Sequence, residues 1–339
     1  MKHKHQITAA TKRHQLLQRT IRKKNNTQRP KMITLPPPVY TDADKQIKIA
    51  IIQTGSWGDN INSTLMLKPL KQKFPDSIID VHTSTTYASA FKNNPYINNL
   101  IQYQANDKNE ALHLTLTIPP MLMGHNYNIT YAPHPMFNPE NWTSINHPEI
   151  GDNLICAWIR ALEHTDVPYT MPLETILQLT DEEVNRVQEY CQHVPDMQNR
   201  RAILMEISGE SGQTFWSPSW TIEVSKYLLN GSTNLFISRK NDSNDVQELR
   251  ALAPGCVHFV GQLSIRECAE LFNRCHAFFS VSSGLSNACG TNWCKKDIKW
   301  FEVVNSPAVT SAPIRKEVKT FWYINDCDKF IEILKSKGV

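Results

Sequence analysis

At 339 residues the chain has room for two domains of roughly 100–200 residues each, and no apolar run reaches the ~18 residues that a membrane span needs. The net charge of +4 hides an asymmetry: residues 1–41 hold ten Lys or Arg and no acid, while the remainder carries 26 bases against 32 acids, a balance of −6. Residues 1–29 lack an apolar core followed by a small-residue cleavage site, which argues against a secretory signal.

The basic segment, taken as 1–45, has few apolar residues and ends in the stiff spacer Leu35-Pro36-Pro37-Pro38. It is expected to be disordered in isolation. Its charge suits a polyanion (nucleic acid or an anionic membrane surface), and equally suits a solubilising extension. The eight cysteines form no C-x-x-C pair, so reduced thiols in a cytoplasmic protein are expected and a zinc site is not.

From Ile47 onward, short apolar runs alternate with amphipathic segments. Ile47–Ile52 reads as a strand, Asn60–Phe74 as a helix, and Ile78–His82 as a strand followed by a short helix around Tyr87–Lys92. Asn98–Tyr103 and Ile129–Tyr131 read as strands, and Asp152–Thr165 as a helix. The stretch 105–145, with Pro119, Pro120, Pro133, Pro135 and Pro139, reads as irregular and as a substrate loop. A second series starts near residue 200. Ala202–Ile207, Asn234–Ser238, Val257–Val260 and Ala277–Val281 are expected as strands. Pro218–Leu229, Asp242–Leu252, Ser264–Asn273 and Gly284–Cys289 are expected as the helices between and after them. This pattern predicts two parallel-sheet α/β domains, 46–175 and 198–327, facing a cleft, with a hinge between Pro168 and Gln198. A last helix near 328–339 is expected to return to the first domain.

Three glycine- and hydroxyl-rich turns follow expected strands: Thr54-Gly55-Ser56-Trp57-Gly58-Asp59, then Ser208–Thr214, then Ser282-Ser283-Gly284. Turns of this kind offer backbone N–H groups to phosphate, and their residues also serve as ordinary caps. Asp59 is the first catalytic candidate, at the mouth of a strand, and is equally suited to capping a helix. Candidates for holding a nucleotide diphosphate are Ser208, Gly209, Gln213, Thr214, Ser282, Ser283 and Gly284, with Arg239 and Lys240 for charge. His134 and His147 are candidates for acceptor contact. Trp216 and Trp220 suit either stacking on a base or core packing. No G-x-G-x-x-G or G-x-S-x-G occurs, which argues against a dinucleotide oxidoreductase and an α/β-hydrolase.

The first turn, with Leu65–Pro75 after it, resembles the N-terminal motif of the ADP-heptose:lipopolysaccharide heptosyltransferases, glycosyltransferase family 9. Asn146–Glu149 and the Leu154–Leu162 helix are similar to that family's mid-chain histidine segment, Val260–Leu271 to its G-x-x-S-L-x-E-L-A-x-L stretch, and Ser282-Ser283-Gly284 to its D-S-G motif. The resemblance spans about residues 47–305 and implies a GT-B fold: two Rossmann-like domains, the first for the acceptor and the second for the nucleotide-sugar. It also implies an inverting, metal-independent transfer, with no cofactor beyond the sugar nucleotide and with Asp59 as general base. Ser282 stands where the family has Asp, Asn287 where it has His, and Thr214 where it has Lys. Two other readings stay open: a phage-type DNA glycosyltransferase with the basic segment on DNA, and a non-catalytic binding protein on a decayed GT-B frame. The expected location is cytoplasmic, with or without peripheral association with a membrane.

Overall fold

In the computed structural model, the apolar runs form two parallel sheets whose central strands are buried on both faces, which is why those strands read as nearly continuous hydrophobic stretches. The structure describes residues 46–122, 125–132, 146–147, 151–152, 155–170, 173–209, 216–229, 232–238, 244–295, 297–304, 319–322 and 327–339, which belong to one compact unit.

The first sheet holds β1 (Lys48–Ile52), β2 (Ile78–Ser84), β3 (Asn99–Tyr103) and β4 (Ile129–Tyr131), in the order β3-β2-β1-β4. A two-stranded ribbon follows, β5 (Asn146–His147) with β6 (Gly151–Asp152). The second sheet holds β7 (Arg201–Glu206), β8 (Thr233–Ser238), β9 (Val257–Phe259), β10 (Ala277–Val281), β11 (Lys299–Val304) and β12 (Lys319–Trp322), in the order β12-β11-β10-β7-β8-β9. Counted from its own first strand, this is the doubly wound order 3-2-1-4-5-6. Strand order reverses between β1 and β4 in one sheet, and between β7 and β10 in the other. Ligands of open α/β sheets bind outside the carboxyl ends of the strands at such reversals.

The expected helix over 60–74 starts earlier and breaks in the middle. It forms α1 (Trp57–Ser63), a 3₁₀ turn (Thr64–Met66) and α2 (Leu67–Lys73). Ser63 and Thr64 bond back to the carbonyls of Asn60 and Ile61 at 2.7 and 2.6 Å, and Pro69 cannot donate to the turn before it. The stretch expected as irregular contains α3 (Lys108–Leu122). Asp107 caps it through the N–H groups of Asn109 and Glu110. Ala111, Thr115, Ile118 and Leu122 form its buried face, and Pro119 and Pro120 fall only in its last turn. After α4 (Ile155–His164), the hinge region holds a further helix, α5 (Asp181–Gln192), opened by the Thr180/Glu183 capping box. The second sheet is covered by α6 (Pro218–Leu228), α7 (Asn244–Leu252), α8 (Ile265–Phe272) and α9 (Gly284–Cys289). The strands β11 and β12 were not anticipated.

The last helix, α10 (Cys327–Ser336), corrects the expectation that it returns to the first domain. Phe330 and Leu334 are fully buried in the second-sheet core with Trp216, Phe279 and Val224, and Phe330 stacks on Trp220. An aromatic and aliphatic stripe goes where matching apolar area is available, and α6 supplies it. Trp216 and Trp220 therefore pack in the core.

A single buried side chain staples the two halves of the unit. Arg266, on α8, donates from Nε and one terminal nitrogen to Glu183 on α5 at 2.7 and 2.9 Å. Its remaining donors reach the carbonyls of Gln178 at 2.6 Å and Ser89 at 3.0 Å. Burial pushes the Glu183 carboxyl up, but the Arg266 bonds and charge outweigh it and hold the group down at about 2.

Candidate functional site

The first and third turns, and Ser208 and Gly209 of the second, lie at the carboxyl ends of β1, β10 and β7, beside the sheet reversals. In the first, Ser56 is the N-cap of α1, and its N–H and Oγ both donate to Asp59 Oδ2, at 2.9 and 2.8 Å. The capping reading of Asp59 therefore holds for that oxygen. Its other oxygen has no partner among the described residues, and the residue is half-buried. The turn is tight: a Cβ on Gly55 would lie 2.8 Å from Asp59 Oδ2. Asn60, fully buried, locks the loop by donating to the carbonyls of Gly55 and Ser56 at 2.9 and 2.8 Å, while its Oδ1 accepts from Thr83 at 2.8 Å. This positioning residue was missed at the sequence level, although an Asn directly after the candidate acid was visible.

Thr54 is fully buried, paired with Thr115 of α3, and Trp57 lies in the core with its indole N–H on Ser89. Both shape the turn from behind and present little surface to a ligand.

The first turn meets the third directly. A Cβ on Gly284 would lie 3.4 Å from Trp57 Cβ and 3.6 Å from the Gly58 nitrogen, and one on Gly58 would lie 2.6 Å from Asn287 Nδ2. Asn287 donates to the Ser283 carbonyl at 2.7 Å, and its Oδ1 is buried without a partner among the described residues. The second turn meets the third as well, since a Cβ on Gly209 would lie 3.3 Å from the Ser282 carbonyl. Ser283 caps α9, accepting from the Ser286 N–H at 3.1 Å, so its hydroxyl serves the helix as well as the site. Three turns distant in sequence therefore converge.

The floor of the second reversal carries a residue that the sequence reading did not single out. Glu206, the last residue of β7, is 6% exposed and accepts from Ser283 Oγ. Fully buried Glu302 faces the same side on β11, with Ser280 between them on β10. Burial, with the neighbouring Glu302 charge adding to it, pushes the Glu206 carboxyl up to about 8 against the Ser283 bond. At neutral pH it is mostly protonated, and the floor beneath the turns carries little negative charge from it.

His134, Gln213, Thr214, Arg239 and Lys240 lie outside the described residues. The backbone of His147 lies in β5. Among the described residues, no group of three His, Cys, Asp or Glu is placed to hold a metal ion, and no helix is long and apolar enough to cross a membrane.

No family model matches this sequence, and no curated protein matches it. Solved structures do. A glycosyl transferase family 9 structure from Veillonella parvula superposes with a TM-score of 0.64 at 16% identity, over 88% of this chain and 90% of that one. The E. coli ADP-heptose lps heptosyltransferase II gives 0.61 at 15% identity, over 86% and 98%. The E. coli heptosyltransferase WaaC with ADP-2-deoxy-2-fluoro heptose gives 0.54 at 12% identity, over 86% and 100%. The chain therefore has the two-domain GT-B fold of these family 9 glycosyltransferases.

Proposed function

We propose that this chain is an inverting, metal-independent glycosyltransferase that moves a sugar from a nucleotide-activated donor to an acceptor hydroxyl. The observation that carries the reading is the meeting of the Asp59 turn with the Ser282–Gly284 turn, at the strand-order reversals of two sheets. Asp59 acts as general base. Its Oδ2 is pinned by Ser56 and its Oδ1 takes the acceptor proton. The acceptor oxygen then bonds to the anomeric carbon, and the bond to the donor phosphate breaks with its electron pair on the departing diphosphate. Backbone N–H groups of the 208–214 and 282–284 turns receive that diphosphate, with Arg239 or Lys240 supplying the charge that Lys would supply at Thr214. The neutral Glu206 carboxyl avoids repelling it.

The absence of family-typical residues at Thr214, Ser282 and Asn287 points to a donor other than ADP-heptose. The reading places the chain in the cytoplasm. The acceptor is a glycan or another hydroxyl compound, and residues 1–41, with ten cations and no acid, suit a nucleic acid or an anionic surface as a partner. Deleting residues 1–40 is then expected to abolish a salt-sensitive affinity for DNA, and an affinity that ignores salt would count against it.

The test begins with a thermal-shift screen against UDP, ADP, GDP, CMP and TDP and their sugar conjugates, followed by turnover with the donor found and with chelator present. Asp59→Asn should lower turnover by about 10²–10⁴-fold with nucleotide binding intact. Turnover unchanged in that variant sinks the proposed base. Absence of any nucleotide shift favours a decayed, non-catalytic frame.

A further inference from the structure

A cavity of about 400 Å³ opens at the other end of the second sheet, within the size range of small-molecule sites. Its wall includes Arg201 at the start of β7, Arg274 and His276 before β10, and Lys295, Asp297 and Lys299 at and before the start of β11. Arg201 and Glu206 are separated by the length of β7, about 16 Å at ~3.3 Å per residue, so the cavity is remote from the three turns.

We infer that this cavity binds a small phosphoanion, a phosphate or diphosphate group. The lining holds Arg201, Arg274, Lys295 and Lys299 together with Asp297, and Glu270 pairs with Arg274 beside it. Arg274 is already held by Glu270, through a terminal nitrogen at 3.0 Å, yet its Nε–H is buried with no acceptor among the described residues. A buried donor left unmatched is costly, and an anion oxygen supplies what it lacks. His276 Nδ1 accepts from the Ala202 N–H at 3.1 Å, which leaves the ring proton on Nε2 as a further donor. The Lys299 ammonium is fixed by the carbonyls of Lys337 and Gly338, at 3.0 and 2.9 Å, so its charge stays at the wall. A guanidinium with an ordered partner, an imidazole N–H and fixed ammonium charge form the donor set that phosphate oxygens accept.

The test is isothermal titration of the full chain with inorganic pyrophosphate at about 0.15 M salt, where exposed charges are screened. Arg274→Gln and Arg201→Gln are titrated beside wild type, with circular dichroism establishing that each is folded. Saturable binding, weakened about tenfold or more in both variants, is expected from the loss of a charge-assisted hydrogen bond. Affinity and stoichiometry unchanged in both variants would place the anion elsewhere and overturn the inference. So would the absence of saturable binding by wild type up to about 1 mM. Binding of a single-stranded oligonucleotide that both variants lose, with no binding of pyrophosphate, would also overturn it.

Discussion

Replacing Glu206 by Gln should change how stability depends on pH, and the size of that change follows from the burial of this one carboxyl. In the folded chain the group titrates at about 8, against 4.5 for the unpaired group. Between those values the native state holds a proton that the unfolded state has released. The slope of stability with pH is then negative, ~1.4 kcal/mol lost per pH unit. The contribution is fully present below pH 4.5, falls through the window, and is gone above pH 8. Across the whole window this amounts to about 5 kcal/mol at most, a large share of a typical domain's stability. Gln is nearly isosteric, accepts the same bond from Ser283, and does not titrate. The variant should match wild type at pH 4.5 and exceed it increasingly toward pH 8. Urea unfolding followed by tryptophan fluorescence at several pH values measures both curves, and their difference removes every group the two chains share. Parallel curves across pH 5–8 would refute the assignment of a neutral, buried carboxyl at this site.

Other predictions rest on single contacts. Arg266→Met strands the Glu183 carboxylate in the interior and should cost about 3–5 kcal/mol, with part recovered in the Arg266→Met/Glu183→Gln double variant, both read from urea midpoints. Glu183 titrates at about 2, so its stabilising contribution is present above pH 4.5 and is lost as pH falls toward 2. Glu183→Gln should flatten that part of the acid-unfolding curve. Gly58→Ala would gain ~1 kcal/mol from helix propensity alone, but its Cβ would lie 2.6 Å from Asn287 Nδ2. The substitution should therefore destabilise by about 1–3 kcal/mol, and Asn287→Ala should rescue it. A melting temperature that rises in Gly58→Ala alone would show that the two turns do not touch.

Much of the frame was legible before any coordinates. The apolar runs that became β1, β7, β8 and β10 announced parallel strands because both faces of each are buried, which leaves little polar alternation to confuse the reading. The glycine turns were legible as glycine-rich stretches after expected strands. Gly55 and Gly58 stand where a Cβ would lie 2.8 Å from Asp59 Oδ2 and 2.6 Å from Asn287 Nδ2. What misled was also local. Pro119 and Pro120 hid α3, whose capping aspartate and buried stripe outweigh two prolines in a last turn. The Thr180/Glu183 box that opens α5 was present in the sequence and was passed over as hinge.

The sequence by itself determined the alternation of strands and helices, the basic segment at residues 1–41, and the three turns that carry the candidate chemistry. Those are properties of neighbours in the chain: propensity, period and charge. Only the tertiary structure decided that the three turns meet, that Arg266 joins α8 to α5 and the first half, and that α10 lies on α6. It also decided that Glu206 loses its charge, and that Arg201, Arg274 and Lys299 surround one cavity. Each of these depends on residues far apart in sequence being brought into one low-dielectric or close-packed place. Strand order and packing set that proximity, and no local pattern encodes it.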